Sequence, residues 1–323
     1  MDGIQVLWGW QPAAYLFLGG MGAGAFIAAM VLWYKDAKAY HRTIMYSIIA
    51  AVVCLIVGLL LLLSELINPL RGMMMWQSFS NFSSWMTFGA WVAFAAIVVF
   101  ILEAVCLGKF SGKILAHVWS GFDERKQSLQ KVLGIVGCVL AFGVAVYTGI
   151  LLMSAPGIPL WNTVLIPCLF TVSALDTGIA LVEIISFCVR KKEGLSFEMS
   201  RFFEMSVIAL AGLELVVLAI LLISMAGVQD PATHTQLIAQ ESAQLLASGS
   251  FAVYFWVLVV AIGLVIPLTV AIVAVMRKGH TKQVVVFGGA LSALVGGCTL
   301  RFLIVMAGAH ADPVLTTMTQ LLG

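Results

Sequence analysis

Charge is what this sequence has least of. Only 10% of its 323 residues are Asp, Glu, Lys or Arg, while 62% are hydrophobic and the mean hydropathy is +1.08. Soluble domains run at about 25% charged and about 45–50% apolar residues. A water-soluble fold of this length would have no polar surface to wear, so that class is excluded. No basic tract and no low-complexity segment is present, which argues against a nucleic-acid partner. No Cys-x-x-Cys spacing occurs. The cysteines Cys54, Cys106, Cys138, Cys168, Cys188 and Cys298 stand singly in apolar stretches and read as small buried hydrophobes. Neither a metal site nor an iron–sulfur cluster is expected within the chain. Histidine is scarce as well. His41, His117, His234, His280 and His310 fall in loops or at a helix end. No pair lies inside the apolar segments to hold a haem between two imidazoles. No phosphate-cradling glycine loop or nucleophile triad stands out. The opening Met1-Asp-Gly-Ile-Gln5 lacks a basic region and a cleavage site, so no removed leader is expected.

What is present is long apolar runs. Eight are read between polar loops, at about 12–34, 43–66, 82–107, 131–154, 162–189, 202–226, 250–276 and 283–309. Each reaches the ~20 residues that a spanning helix needs. An outer-membrane barrel would alternate over ~10-residue segments instead. The fold class is therefore all-α: a polytopic membrane protein of eight transmembrane helices. Two four-helix bundles are expected, over 1–154 and 155–323. Pro12 suits the first position of a helix. Pro167 and Pro267 are expected inside spans, where they kink the helix.

The basic residues set the orientation. Fifteen of the seventeen Lys and Arg fall at the loops after spans one, three, five and seven, among them Lys35, Lys126, Arg190 and Arg277. The exceptions are Arg71 and Arg301. The positive-inside rule puts those four loops in the cytoplasm and both termini outside. Among the outer loops, residues 227–249 place Leu237, Ile238, Glu241, Leu245 and Leu246 at helical spacing, with Asp230 and Pro231 as N-cap and first helical residue. A short helix lying on the outer face follows, serving as interfacial packing or as a platform for a partner.

Two groups of polar residues remain. The first is intramembrane. Asp176 and Glu183 lie two turns apart on one face of span five, about 10 Å along the axis. Glu214 and Glu204 lie on span six, Arg301 in span eight, and Glu103 near the inner end of span three. A charge at the bilayer centre costs roughly 2.5–3.5 kcal/mol on insertion scales and marks a functional site by default. Burial favours the neutral form of a carboxyl group, so such a row can relay protons. The plainer reading has Arg301 pairing with an acid to lock helices together, while Glu103 and Glu204 touch the headgroups. The second group lies at the outer ends of spans one to four. It comprises Trp8, Trp10, Gln11 and Tyr15, then Glu65, Asn68 and Arg71, then Tyr147. An interfacial aromatic belt explains the rings but not the Gln, Glu, Asn, Arg and Tyr arriving at one depth. A quinone needs that mixture: apolar walls, donors for two oxygens, and a group that moves protons.

Here the chain resembles the NrfD family, in its eight-span, polysulfide-reductase-type branch. The stretches that carry the resemblance are Tyr15-Leu-Phe-Leu-Gly-Gly-Met-Gly-Ala-Gly-Ala-Phe26, Glu65-Leu-Ile-Asn-Pro-Leu-Arg71 and Trp85-Met-Thr-Phe-Gly-Ala-Trp91. Tyr147-Thr-Gly-Ile-Leu-Leu, Pro159-Leu-Trp-Asn, Pro167-Cys-Leu-Phe-Thr-Val-Ser-Ala-Leu175 and Gly297-Cys-Thr-Leu-Arg301 follow in order and spacing. The resemblance implies a haem-free, quinone-reactive subunit in a bacterial cytoplasmic membrane. It implies menaquinone or another quinone, bound near the outer surface. The implied partners are an extracytoplasmic ferredoxin-like subunit carrying [4Fe–4S] clusters and a molybdopterin catalytic subunit.

Residue by residue, Tyr147 matches the span-four tyrosine that approaches a quinone oxygen. Glu65 takes the place of the family's Asp, Arg71 that of its Arg, and Gln11 lies where relatives place a polar pocket residue. Glu for Asp at 65 and Ile67 for the usual Gly depart from the pattern, and no His stands at the start of span one. On this reading Glu65 and Tyr147 do the proton chemistry, with Gln11, Tyr15, Asn68 and Arg71 around the ring. Asp176, Glu183, Glu204, Glu214 and Arg301 form a proton path. The rival from another class is a proton-coupled secondary transporter, where mid-membrane acids and kinked spans also occur. Such folds usually repeat internally, and spans 1–4 do not resemble spans 5–8.

Overall fold

The computed structural model describes residues 8–64, 85–108, 122–155, 157–226, 234–277 and 282–309. Among these it is all-helical. The spans are α1 (Trp10–Asp36), α2 (His41–Ser64), α3 (Trp85–Leu107), α4 (Phe122–Met153), α5 (Leu165–Val189) and α6 (Phe197–Ala226). A short α7 (His234–Ala247) follows. The seventh span joins a π-helical stretch, Tyr254–Val265, to α8 (Ile266–Met276), and α9 (Gln283–Met306) is the eighth. Eight of these helical segments are long and apolar enough to cross a membrane.

The spans run up and down, so their halves sort into two clusters. One holds Tyr15 and Leu16 of α1, Tyr147 and Leu151 of α4, Phe170 of α5, Leu218 of α6 and Ile304 of α9. The other holds Phe26 and Trp33 of α1, Ile44 of α2, Phe100 of α3, Val182 of α5 and Phe203 of α6. The described basic residues at the loops after α1 and α5, Lys35, Lys38, Arg42, Arg190 and Arg201 among them, lie beyond the second cluster, at the basic end of the molecule. There Glu193, in the loop after α5, accepts hydrogen bonds from the backbone N–H of Arg42 at 2.6 Å and of Thr43 at 3.4 Å. It also lies 3.6 Å from the Arg42 Nε. An acid at a helix start satisfies otherwise unbonded N–H groups. Tyr40 donates to Ser196 at 2.8 Å beside it.

Helices α1 and α5 form the centre. A Cβ added to Gly24 of α1 would overlap the Ala174 carbonyl of α5, and one added to Gly178 would overlap the backbone of Gly24. In lipid there is little hydrophobic drive between helices, so small residues that admit close backbone contact hold them together. Gly263 and Gly296 do the same between the π-helical stretch and α9.

Two expectations change and one is refined. Pro167 is the third residue of α5, in a first turn where its missing N–H is not needed, so it does not interrupt the span. Pro267 does mark a change of winding: the π-helical stretch ends two residues before it. A proline ring clashes with the carbonyl four residues back and leaves it unbonded. Wider winding ahead of the ring accommodates both effects. The cysteines are not uniformly buried. Cys106 is buried, but Cys168 and Cys188 are exposed, because in a bilayer the outer surface is as apolar as the core.

The short helix expected over 227–249 is α7. Ile238, Ala243 and Leu246 are buried, and Ser242 accepts the backbone N–H of Ala309 at 3.2 Å. It therefore packs on the end of the bundle opposite the basic loops. The expected cap at Asp230 and Pro231 lies outside the described residues.

Candidate functional site

At the end opposite the basic loops, α1 and α4 bring Tyr15 and Tyr147 into one apolar cluster with Leu151, Leu152 and Trp161. Tyr15 is 2% exposed and Tyr147 4%. Leu59 and Leu62 of α2 pack against the same cluster. Glycine makes room for both phenols. A Cβ on Gly89 of α3 would fall inside the Tyr147 ring, and one on Gly58 of α2 would sit 3.2 Å from the Tyr15 ring. Gln11 sits half-buried one turn before Tyr15, and Trp10 beside it is exposed. Glu65, Asn68 and Arg71 lie outside the described residues.

Trp161 is the member of this cluster that sequence reasoning did not single out. Its indole N–H donates to the Ile304 carbonyl at 2.8 Å, and its ring lies 5.4 Å from that of Trp8. It thus ties the start of the chain to the end of α9. Gly308 leaves the space for it. Its place in the Pro159-Leu-Trp-Asn motif was the available signal.

The intramembrane group is brought together on α5, α6 and α9. Asp176, Glu204 and Glu214 are buried and Glu183 is half-buried. Arg301 is 0% exposed. Its guanidinium donates to Ser173 Oγ at 3.0 Å, to the Gly297 carbonyl at 2.9 Å and to the Phe170 carbonyl at 3.3 Å. The ring of Phe170 lies 5.2 Å away and that of Phe17 5.8 Å away. A cation can be held this way by dipoles and ring faces. Glu214 is the acid that faces this charge, and hydroxyl and carbonyl oxygens accept the hydrogen bonds of the guanidinium. Ser173, quoted in the sequence only as a member of the Pro167–Leu175 motif and given no role there, links the guanidinium to the neighbourhood of Glu214.

Two acids correct the plain reading. Glu103 is 0% exposed and Glu204 4%, so neither reaches the headgroups as side chains on the protein surface. Both carboxyl oxygens of Glu103, Oε1 of Glu204 and Oδ1 of Asp176 have no hydrogen-bond partner among the described residues. Glu103 follows Phe100 by about one turn of α3, and the ring of Phe100 stacks on that of Phe26 with centroids 3.7 Å apart. A cavity of about 240 Å³ opens between α5, α6, α8 and α9 toward the basic end, and Glu183 and Glu204 line it. Among the described residues no cluster of His, Cys, Asp and Glu could hold a metal ion.

Comparison with known proteins places the chain. The family model described as "Polysulphide reductase, NrfD" matches residues 2–311. The sequence is 32% identical over 322 residues to the C subunit of polysulfide reductase from Wolinella succinogenes, an alignment that spans 94% of both proteins. It is 28% identical over 323 residues to protein NrfD of Escherichia coli, spanning 94% of this protein and 95% of that one. A homologue of NrfD from Haemophilus influenzae is 27% identical over 324 residues, with the same coverage. Eight apolar spans and a match over nearly the whole length lead to one conclusion: this chain is a multi-pass bacterial membrane protein of the NrfD family.

Proposed function

We propose that the chain is the quinone-reactive membrane subunit of a respiratory oxidoreductase. On this reading it exchanges electrons between a quinone, menaquinone or another, and the [4Fe–4S] clusters of an extracytoplasmic ferredoxin-like subunit. That subunit serves a molybdopterin catalytic subunit. The observation that carries the proposal is the pair of buried phenols, Tyr15 and Tyr147, in apolar walls at the end opposite the basic loops. Tyr147 stands where the resemblance to the family puts its quinone-facing tyrosine. The residues fit such a ligand: Leu59, Leu62 and Leu151 offer walls to an apolar ring, and the phenols offer hydrogen bonds to its oxygens. A quinol, when bound, supplies two electrons and two protons. Tyr147 and Gln11 orient the ring by hydrogen bonds. Glu65, which follows the last residue of α2, accepts a proton from the hydroxyl. Arg71 supplies a counter-charge. The same groups serve quinone reduction.

The test uses the intact complex purified through this chain. A reduced menaquinone analogue, added anaerobically, bleaches the visible absorption of the iron–sulfur clusters. Tyr147→Phe slows that bleaching about tenfold or more, the equivalent of about 1.4 kcal/mol in the barrier. Clusters that ignore both quinol and quinone would sink the proposal and leave the transporter in its place.

A second reading concerns the acids on α5 and α6. Their burial, with unpartnered oxygens on Asp176 and Glu204, supports a proton path through Asp176, Glu183, Glu204, Glu214 and Arg301. Asp176→Asn then stops proton movement across vesicles during turnover, while quinol oxidation continues. Loss of the folded protein in that variant would favour a helix-locking role.

A further inference from the structure

We infer that the acid row is a one-sided proton inlet, open to the basic end of the molecule and shut at mid-depth by Arg301. The inference rests on the reading of the row as a proton path. It adds a direction and a stopper, neither of which follows from a row of acids alone.

The opening is the cavity of about 240 Å³, whose outer rim carries Arg190, Ser200 and Arg201 and whose inner wall carries Glu183 and Glu204. One water needs about 10–15 Å³ on this measure, so the cavity admits a connected file. A second cavity, of about 10 Å³, begins at the same two glutamates and ends on Asp176. It has room for about one water. Gly289, Ala290 and Ala293 of α9 floor it, and larger side chains there would fill it. The unpartnered oxygens of Glu204 and Asp176 belong to residues lining these spaces. Burial of a polar atom without a partner is unfavourable, so water in the two cavities satisfies both.

Beyond Asp176 the character changes within one turn. Ser173 and then the guanidinium of Arg301 follow. That guanidinium is fixed from three helices. It is rooted on α9 and bonded to Ser173 and Phe170 of α5. A Cβ on Gly20 of α1 would lie 3.1 Å from its Nη2. A fixed cation across a narrow path repels protons and other cations. Past it lie buried Phe170, Leu218, Leu221, Leu303 and the Trp161–Ile304 hydrogen bond. Among the described residues these positions carry no carboxyl or imidazole group. Protons entering from the basic end therefore reach Asp176 and Glu214 and go no further while Arg301 stays in place.

The test is made on the whole complex in oriented membrane vesicles, with the six native cysteines replaced. Single cysteines are placed at Ser186 in the cavity and at Leu221 beyond Arg301. A membrane-impermeant methanethiosulfonate reagent is added from either face, and silver ion is used for the narrower region. Ser186→Cys is expected to react at least tenfold faster from the face that carries the basic loops, and Leu221→Cys from neither. Silver reaching Leu221→Cys, or faster reaction of Ser186→Cys from the opposite face, overturns the inlet. Arg301→Gln is expected to make the vesicles leak protons at rest, whereas Arg301→Lys keeps them tight. If Arg301→Gln does not fold, Ser173→Ala, which frees the guanidinium, serves instead and gives a smaller leak. Tight vesicles in a folded Gln variant overturn the stopper. Undiminished proton movement in Asp176→Asn instead removes the reading on which the inlet rests, and the labelling pattern separates that failure from a failure of the inlet itself.

Discussion

Tyr147 owes its position to a side chain that is missing on the neighbouring helix. Any Cβ on Gly89 would occupy the phenol ring, so Gly89→Ala must push the ring aside while leaving the lipid-facing surface of α3 unchanged. We expect Gly89→Ala to slow quinol-dependent cluster reduction about tenfold or more, as Tyr147→Phe does, while the membranes keep their normal amount of the protein. An immunoblot beside the bleaching assay checks both, and an unchanged rate would mean that the Tyr147 hydroxyl is not at the ring. Tyr147 was legible in the sequence because a motif carries it. Its glycine partner was legible only as a residue of another motif, since the contact joins α3 to α4 and only packing creates it. Glu103 shows the opposite failure. Position along a span gives depth, and depth alone put this acid among the headgroups. Which side of α3 turns inward was unreadable because the helix is apolar nearly all round, so no polar face marks its orientation.

The glycines of α1 show the same limit at the scale of elements. The run Gly19, Gly20, Gly22 and Gly24 announces close helix contact, yet nothing in it names the partner. The structure gives α5 as the partner, through Ala174 and Gly178. Gly178→Leu would drive a side chain into the α1 backbone, and overpacking of this kind typically costs about 1–3 kcal/mol or more. The variant is expected to lose most of its folded yield in detergent, with a lower thermal midpoint in what remains. Gly194→Leu serves as control. It lies in the loop after α5, where an added Cβ meets nothing within 4 Å, and should leave yield and midpoint unchanged. A normal midpoint in Gly178→Leu would mean that α1 and α5 do not touch in the membrane. The eight spans themselves were legible because bilayer thickness fixes their length, and their ends agree to within a few residues except at the start of α4, Phe122 against an expected 131, and of α6, Phe197 against an expected 202. The winding ahead of Pro267 was not. A proline announces a disturbance, but the neighbouring helix, here α9 with Gly296 against Gly263, decides how the backbone absorbs it.

At the scale of the whole molecule the two ends carry different chemistry. The phenols lie opposite the basic loops, and the large cavity opens toward them. If the basic loops are cytoplasmic, as their charge requires, a quinol oxidised at Tyr147 releases its protons to the outside. The inlet meanwhile fills from the inside. The electrons leave to a partner on the same outer face, so proton entry through the inlet is the step that moves charge across the membrane. The arrangement has this value in one orientation only, so orientation is the property to measure. Lys38 and Ser248 are both exposed and lie at opposite ends of the molecule. A membrane-impermeant maleimide is expected to label Ser248→Cys in intact cells, after removal of the outer barrier, and Lys38→Cys only once the cytoplasmic membrane is opened. The reverse pattern would place the phenols inside. An extracytoplasmic iron–sulfur partner could not then reach them, and the inlet would draw protons from the outer face instead.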